Sequence, residues 1–237
     1  MRINRLLCLS LALGAVACRV ESRPGVARVW PVMGTMMSAA GWGADSSRVA
    51  RALAAAYDSV DRVDSLVQHR VAIAAVDSTR REIRRRTGVA LPVDTIAPGY
   101  ALDRAALALT GVVDSALLDV GGQYAWVGPA RPTHRAVGVA DPDNTLRTLA
   151  VVDLQDGSVK TASQRNAPRG GARAVTVLAA DGLTANAWAS AFLQIGCDRA
   201  LTLAQSGGMH VICADSSGVR WATGLQNRVS LPVAHVP

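Results

Sequence analysis

The sequence predicts an α+β fold: one domain of mostly antiparallel strands with helices packed against them. Two observations carry this. Short apolar runs recur through the second half of the chain and are separated by Gly- and Asp-containing turns. Two stretches, 46–67 and 184–204, carry apolar residues at helical spacing. The strand-like and helical segments together sum to an α+β domain with mostly antiparallel strands.

In chain order, Val29 to Gly43 mixes small and apolar residues as a strand does. Ser46 to Val67 places Ala50, Leu53, Tyr57, Val60, Val63 and Leu66 on one helical side. The stretch 70–87 fits either helix or loop, and its Arg80-Arg81-Glu82-Ile83-Arg84-Arg85-Arg86 run reads as a solvated helix face. Asp103 to Leu109 is a short amphipathic helix. Ser115 to Val120 is a strand ended by Gly121-Gly122, and Tyr124 to Val127 and Arg135 to Val139 are further strands. Leu149 to Leu154 and Ser158 to Thr161 flank Gln155-Asp156-Gly157, which predicts a hairpin turn. Ala174 to Ala179 is a strand, and Thr184 to Ala204 is a helix with Thr184 as its cap. Two closing strands, Met209 to Ala214 and Val219 to Thr223, flank Asp215-Ser216-Ser217-Gly218.

The N-terminus reads as an export signal. Arg2 and Arg5 precede an apolar run from Leu6 to Ala17, and Ala15-Val16-Ala17 leads into Cys18. The run is shorter than the ~20 residues that span a bilayer. Both a lipoprotein peptidase and ordinary signal peptidase would cut before Cys18. The sequence therefore divides into a signal peptide (1–17), a tether lipid-anchored at Cys18 (18–28) and a folded domain (29–237), with the protein in the cell envelope facing the periplasm or exterior. Loss of Arg2 and Arg5 lowers the net charge from +7 to +5. An exported chain without aromatics interleaved among its basic residues excludes nucleic acid as a partner. Half the residues are hydrophobic, enough for a sizeable core. Four histidines, His69, His134, His210 and His235, do not cluster, which argues against zinc. Cys197 and Cys213 either pair or are two buried thiols.

Glycine-bearing turns at Met33-Gly34-Thr35, Pro98-Gly99-Tyr100 and Gly121-Gly122-Gln123 each suit either close backbone approach to a phosphate or a structural turn. Asn186 and Ser190, spaced i, i+4, share a helix face, where two oxygens can hold a hard cation or simply be small polar residues.

The order of these segments resembles the ApbE family, the FAD:protein FMN transferases. Val32-Met33-Gly34-Thr35 comes first, followed by Val93-Asp94-Thr95-Ile96-Ala97-Pro98-Gly99-Tyr100-Ala101-Leu102-Asp103. Ser115 to Gly122, Val137-Gly138-Val139-Ala140-Asp141-Pro142 and Ser158-Val159-Lys160-Thr161 continue the series. The strand Ala174 to Ala179 and Thr184 to Phe192 complete it. The resemblance implies transfer of the FMN half of FAD to a Thr or Ser hydroxyl of an envelope flavoprotein, with release of AMP. It implies FAD contacts at Met33, Gly34, Thr35, Asp94, Ala97, Pro98, Tyr100, Asp103, Gly121, Gly122 and Thr161. It implies Mg2+ at Thr95, Asn186 and Ser190, and it designates no catalytic residue. The chain departs from the family pattern in several ways. Asn186 and Ser190 stand for Asp and Thr, and Pro98 stands for Lys. A Gly-Ala-Phe-Asp segment and a His before the Asp-Pro loop are missing. The alternative reading is a flavin- or partner-binding envelope lipoprotein without transferase activity.

Overall fold

The structure, a computed structural model, describes residues 25–231 apart from 130–134, 145, 155–156, 166, 169, 223 and 226. The signal peptide, Cys18, His134 and His235 lie outside the described residues. Eight antiparallel strands form the main sheet: β1 (Gly25–Val32), β2 (Thr35–Trp42), β3 (Ser115–Val120), β4 (Gln123–Val127), β7 (Gly157–Ser163), β8 (Ala174–Ala179), β9 (His210–Asp215) and β10 (Gly218–Trp221), in that spatial order. A second sheet has the order β11 (Val229–Ser230), β6 (Thr148–Leu154) and β5 (Arg135–Ala140). The helices are α1 (Ser46–Gln68), α2 (Ala74–Thr87), α3 (Val93–Leu109), α4 (Gly182–Ile195) and α5 (Cys197–Gly207). The α+β expectation holds.

Alternation along the strands assigns the two faces of the main sheet. Ala116, Leu118, Val120, Ala125 and Val127 enter the core shared with the helices. Val159, Leu178 and Ile212 enter a smaller core with Val152 and Leu154 of the second sheet. The molecule is thus three layers: helices, main sheet, small sheet.

Several elements differ from the sequence expectation. The first strand begins at Gly25, paired with Trp42, so the segment 18–28 expected as a tether gives its last four residues to the sheet. Residues 74–87, left ambiguous, are helical, closed by Gly88 at φ 80°. On α1, Val49 and Ala56 are buried along with Leu53, Val60 and Val63. The helix expected from Thr184 is broken at Gly196 (φ 83°), and its cap is Asp181, whose carboxylate accepts from the Thr184 N–H at 2.7 Å. Gln155 and Asp156 of the expected hairpin turn lie outside the described residues, and the strands expected to pair across them, β6 and β7, belong to different sheets. Gly157 (φ 69°) lies so close to β8 that an added Cβ would stand 2.3 Å from the Ala179 carbonyl oxygen. The hairpin at 215–218 does form. Cys197 and Cys213 form a disulfide that ties the start of α5 to β9, with Cα atoms 5.6 Å apart.

The largest departure is α3. Pro98-Gly99-Tyr100 is no turn but the middle of a helix. Gly99 is where α3 crosses α4: a Cβ there would meet the Gly182 carbonyl oxygen at 2.4 Å and the Asn186 Cβ at 2.9 Å. Only hydrogen fits at this crossing. Gly99→Ala is therefore expected to destabilise by about 3 kcal/mol through overpacking of backbone against backbone. Thermal denaturation should show a Tm lowered by roughly 10 °C for a domain of this size. Gly34→Ala, where nothing lies within 4 Å of the added carbon, should cost only about 1 kcal/mol, from its left-handed φ.

Candidate functional site

Two tight turns stand side by side at one end of the main sheet. Met33 (φ 51°) and Gly34 (φ 68°) join β1 to β2, and Gly121 (φ 56°) and Gly122 (φ 75°) join β3 to β4. Two consecutive positive φ angles are the hairpin geometry that matches strand twist. Asp64 of α1 holds the first turn by accepting from the Met33 N–H at 2.8 Å. Asp119 holds the second by accepting from the Gly122 N–H at 2.8 Å. A Cβ at Gly121 would stand 3.2 Å from Thr35, so the two turns are in contact.

Beside them, β7 carries Lys160 and Thr161. Lys160 is the cross-strand partner of Gln123, and its ammonium donates to the Gly121 carbonyl at 3.2 Å. Burial lowers the Lys160 pKa, and the Asp119 carboxylate partly offsets this. Burial also raises the Asp119 pKa, against the Gly122 N–H and Lys160. Burial and Asp119 together raise that of Tyr124. The Thr161 hydroxyl shares a hydrogen bond of 2.8 Å with Thr176.

Between the sheets a cleft of about 450 Å³ opens, lined by Gly122, Tyr124, Val137, Gly138, Ala140, Asp141, Pro142, Val159, Thr161, Ser163 and Arg165. That volume falls within the range of small-molecule sites. The buried Asp141 carboxylate accepts from Arg173 and from the Asp143 N–H, both at 3.0 Å, which fixes the loop. Arg165 donates its Nε–H to the Pro142 carbonyl at 3.2 Å.

On the other face, α3 and α4 form a clasp. The Asp103 carboxylate accepts from the Gly182 and Leu183 N–H groups, the unpaired donors of the first turn of α4. Gln123 donates to the Gly182 carbonyl at 2.7 Å and to the Ser158 hydroxyl at 3.3 Å. Asn186 is 2 % exposed, and its side-chain oxygen accepts from the Ser190 hydroxyl at 3.4 Å.

The sequence-expected residues therefore separate. Thr35, Gly121, Gly122 and Thr161 gather at the rim of the main sheet. Asn186 and Ser190 meet on α4 as their spacing implied. Ala97 is fully buried in the core, out of reach of any ligand. Pro98 is internal to α3, and Asp103 is committed to the α4 clasp. Asp94 and Thr95 are exposed in the first turn of α3, and Tyr100 packs against the core. Sequence reasoning missed Lys160, Gln123, Tyr124 and Arg165 as site residues. A lone lysine next to Thr161 was the available signal.

Burial raises the Asp103 pKa from 3.8 to about 6; the two backbone N–H groups oppose the shift and nearby Asp181 adds to it. A carboxyl whose folded pKa is raised contributes stability below its unfolded pKa and loses it as pH rises through the folded value. The Asp103 contribution should thus fall between about pH 4 and pH 6. Asp103→Asn leaves one amide donor of α4 without an acceptor, at a cost of about 1–3 kcal/mol. Urea unfolding across that range should show the variant less stable, and lacking this component of the pH dependence.

The sequence profile of the ApbE family matches residues 29–213. The flavin transferase ApbE from Vibrio cholerae has a similar fold, with TM-score 0.67 and 15 % identity, over 86 % of this chain and 99 % of that one. The ApbE protein from Thermotoga maritima is similar at TM-score 0.66 and 16 % identity, over 86 % and 99 %. The flavinyl transferase ApbE of Pseudomonas stutzeri in its apo form matches at TM-score 0.66 and 15 % identity, over 86 % and 96 %. No curated protein sequence matches the chain.

Proposed function

The chain belongs to the ApbE family, and from that membership we propose that it is a flavin transferase that takes FAD as substrate and passes the FMN moiety to a Thr or Ser hydroxyl of an envelope flavoprotein. In the reaction the hydroxyl oxygen bonds to the phosphorus of the FMN half. The pyrophosphate P–O bond breaks, and AMP leaves. The observation that carries the reading is the cleft between the sheets, lined by Gly122, Tyr124 and Thr161, with the Lys160 ammonium bonded to the adjacent Gly121 carbonyl. Tyr124, Val137 and Val159 offer flat and apolar surface to an isoalloxazine ring. The glycine turns keep side chains away from the phosphates, so their backbone can approach closely.

A hard dication such as Mg2+ would supply charge to a developing phosphate anion, and its fit to this chain can be tested residue by residue. Mg2+ is held through carboxylates and oxygens in octahedral array. Thr95, Asn186 and Ser190 are all neutral, and Asn186 and Ser190 bond to each other. Both Asp103 oxygens already accept from backbone amides. Among the described residues no group of three or more His, Cys, Asp or Glu is placed to hold a metal. This donor set does not fit a tightly held Mg2+.

The neutral Asn186 and Ser190 pair also favours a second reading, a flavin-binding lipoprotein that no longer transfers. Purified protein incubated with FAD and a Thr-bearing acceptor separates the two. The acceptor should gain the mass of an FMN group, while FAD binding without that mass gain supports the second reading and contradicts the first. Asn186→Asp supplies the absent carboxylate at almost constant volume. Mg2+ should then tighten FAD binding in the variant and leave the parent chain unaffected.

The envelope location rests on the leader sequence, and the Cys197–Cys213 disulfide supports an oxidising compartment. Intact-mass measurement of the membrane fraction should give a mature chain starting at a lipidated Cys18. A soluble product retaining Met1 would contradict export.

A further inference from the structure

We propose that Lys160 is the fixed cation of this site, binding the phosphates of the flavin substrate without a divalent metal; the proposal rests on the flavin reading above. Lys160 is the single lysine in a chain whose other basic residues are all arginine. It sits on β7 opposite Gln123 of β4, and its ammonium reaches to the β3–β4 turn, where one N–H is given to the Gly121 carbonyl at 3.2 Å. A lysine ammonium has three donors, so two remain to give. Among the described residues no carboxylate lies within ion-pair distance of it, and Asp119 acts on it only through space. The ammonium is solvent-accessible and has no counter-ion, so an incoming anion meets it unpaired. Lys160 does not itself line the cleft; its ammonium reaches the edge of the cleft at Gly121, next to Gly122, which does line it.

Gln123, the cross-strand neighbour of Lys160, lies on the helix face of the sheet and not in the cleft. It is 0 % exposed, and its Oε1 is buried without a hydrogen-bond partner. The amide orientation is fixed. Nε2 faces the Gly182 carbonyl, which can only accept. It also faces the Ser158 hydroxyl, whose own hydrogen goes to the Tyr124 carbonyl at 2.8 Å. Oε1 is thus a buried acceptor without a protein donor, and a phosphate, which offers only acceptor oxygens, does not supply one. Lys160, with two unspent donors, lies on a strand packed against a helix, α4, that bears the neutral pair Asn186 and Ser190. The positive charge a pyrophosphate requires is carried by Lys160, not by an ion recruited to that pair.

Titration of the full mature chain with FAD, with riboflavin and with inorganic pyrophosphate, each in EDTA and in Mg2+, tests this on the parent protein, Lys160→Ala and Lys160→Arg. The parent should bind FAD equally in both media. Lys160→Ala should weaken FAD binding about 10- to 100-fold, the worth of a charge-assisted hydrogen bond. It should leave riboflavin, which has no phosphate, within about twofold. Lys160→Arg should recover part of the loss. FAD binding that requires Mg2+, or Lys160→Ala that binds FAD like the parent, overturns the proposal. Equal loss of FAD and riboflavin together with a lowered Tm assigns Lys160 a structural role and also overturns it. Pyrophosphate binding that Lys160→Ala abolishes, with no flavin bound by the parent, retains the anion site and rejects the flavin reading. No binding of any of the three probes rejects both.

Discussion

Where α3 crosses α4, two glycines meet backbone to backbone, and the Asp103 carboxylate of one helix accepts the first two free amides of the other. The rest of the site depends on this crossing. It fixes the height and direction of α4 over the sheet, because the Gly182 carbonyl, held from one side by the Gly99 approach, accepts from Gln123 on the other. Gln123 in turn sits directly after the Gly121-Gly122 turn and opposite Lys160. One contact between small residues thus sets the distance between helix layer and sheet, and with it the position of Asn186, Ser190 and the glycine rim. The contact owes little to hydrophobic area. Its worth lies in satisfying donors that every helix start leaves open and in excluding any larger residue.

The site's charge is distributed in an uncommon way. The carboxylates near it are already engaged: Asp103 with α4, Asp119 with the Gly122 amide, and Asp141 with Arg173 and the Asp143 amide. What remains for a ligand is cationic or neutral: Lys160, Arg165, hydroxyls and backbone amides. Such a site suits an anion.

Much of the fold was legible in the sequence, for identifiable reasons. Helix α1 and the 215–218 hairpin depend on local periodicity and turn chemistry, which a single sequence displays. Helix α3 was not legible in its first half, because Pro98-Gly99 has the composition of a turn and only the packing of Gly99 on Gly182 explains a helix there. The sequence at 155–157 has hairpin composition too, but which strands pair is set by the two cores, and Val152 and Val159 share the smaller core from different sheets. For the site, the order of motifs led to the ApbE family and to the glycine rim. The roles of Asp103 and Ala97 were not legible, since burial decides them. Lys160 was missed because its importance lies in what surrounds it.

The most direct test is a crystal structure of the mature chain grown with FAD in the presence of EDTA. The account predicts the flavin in the cleft lined by Gly122, Tyr124 and Thr161, with a phosphate oxygen within hydrogen-bond distance of the Lys160 ammonium. A flavin bound elsewhere, for instance in the cleft of about 660 Å³ beside His210 and Arg228, or phosphates turned away from Lys160, would contradict it.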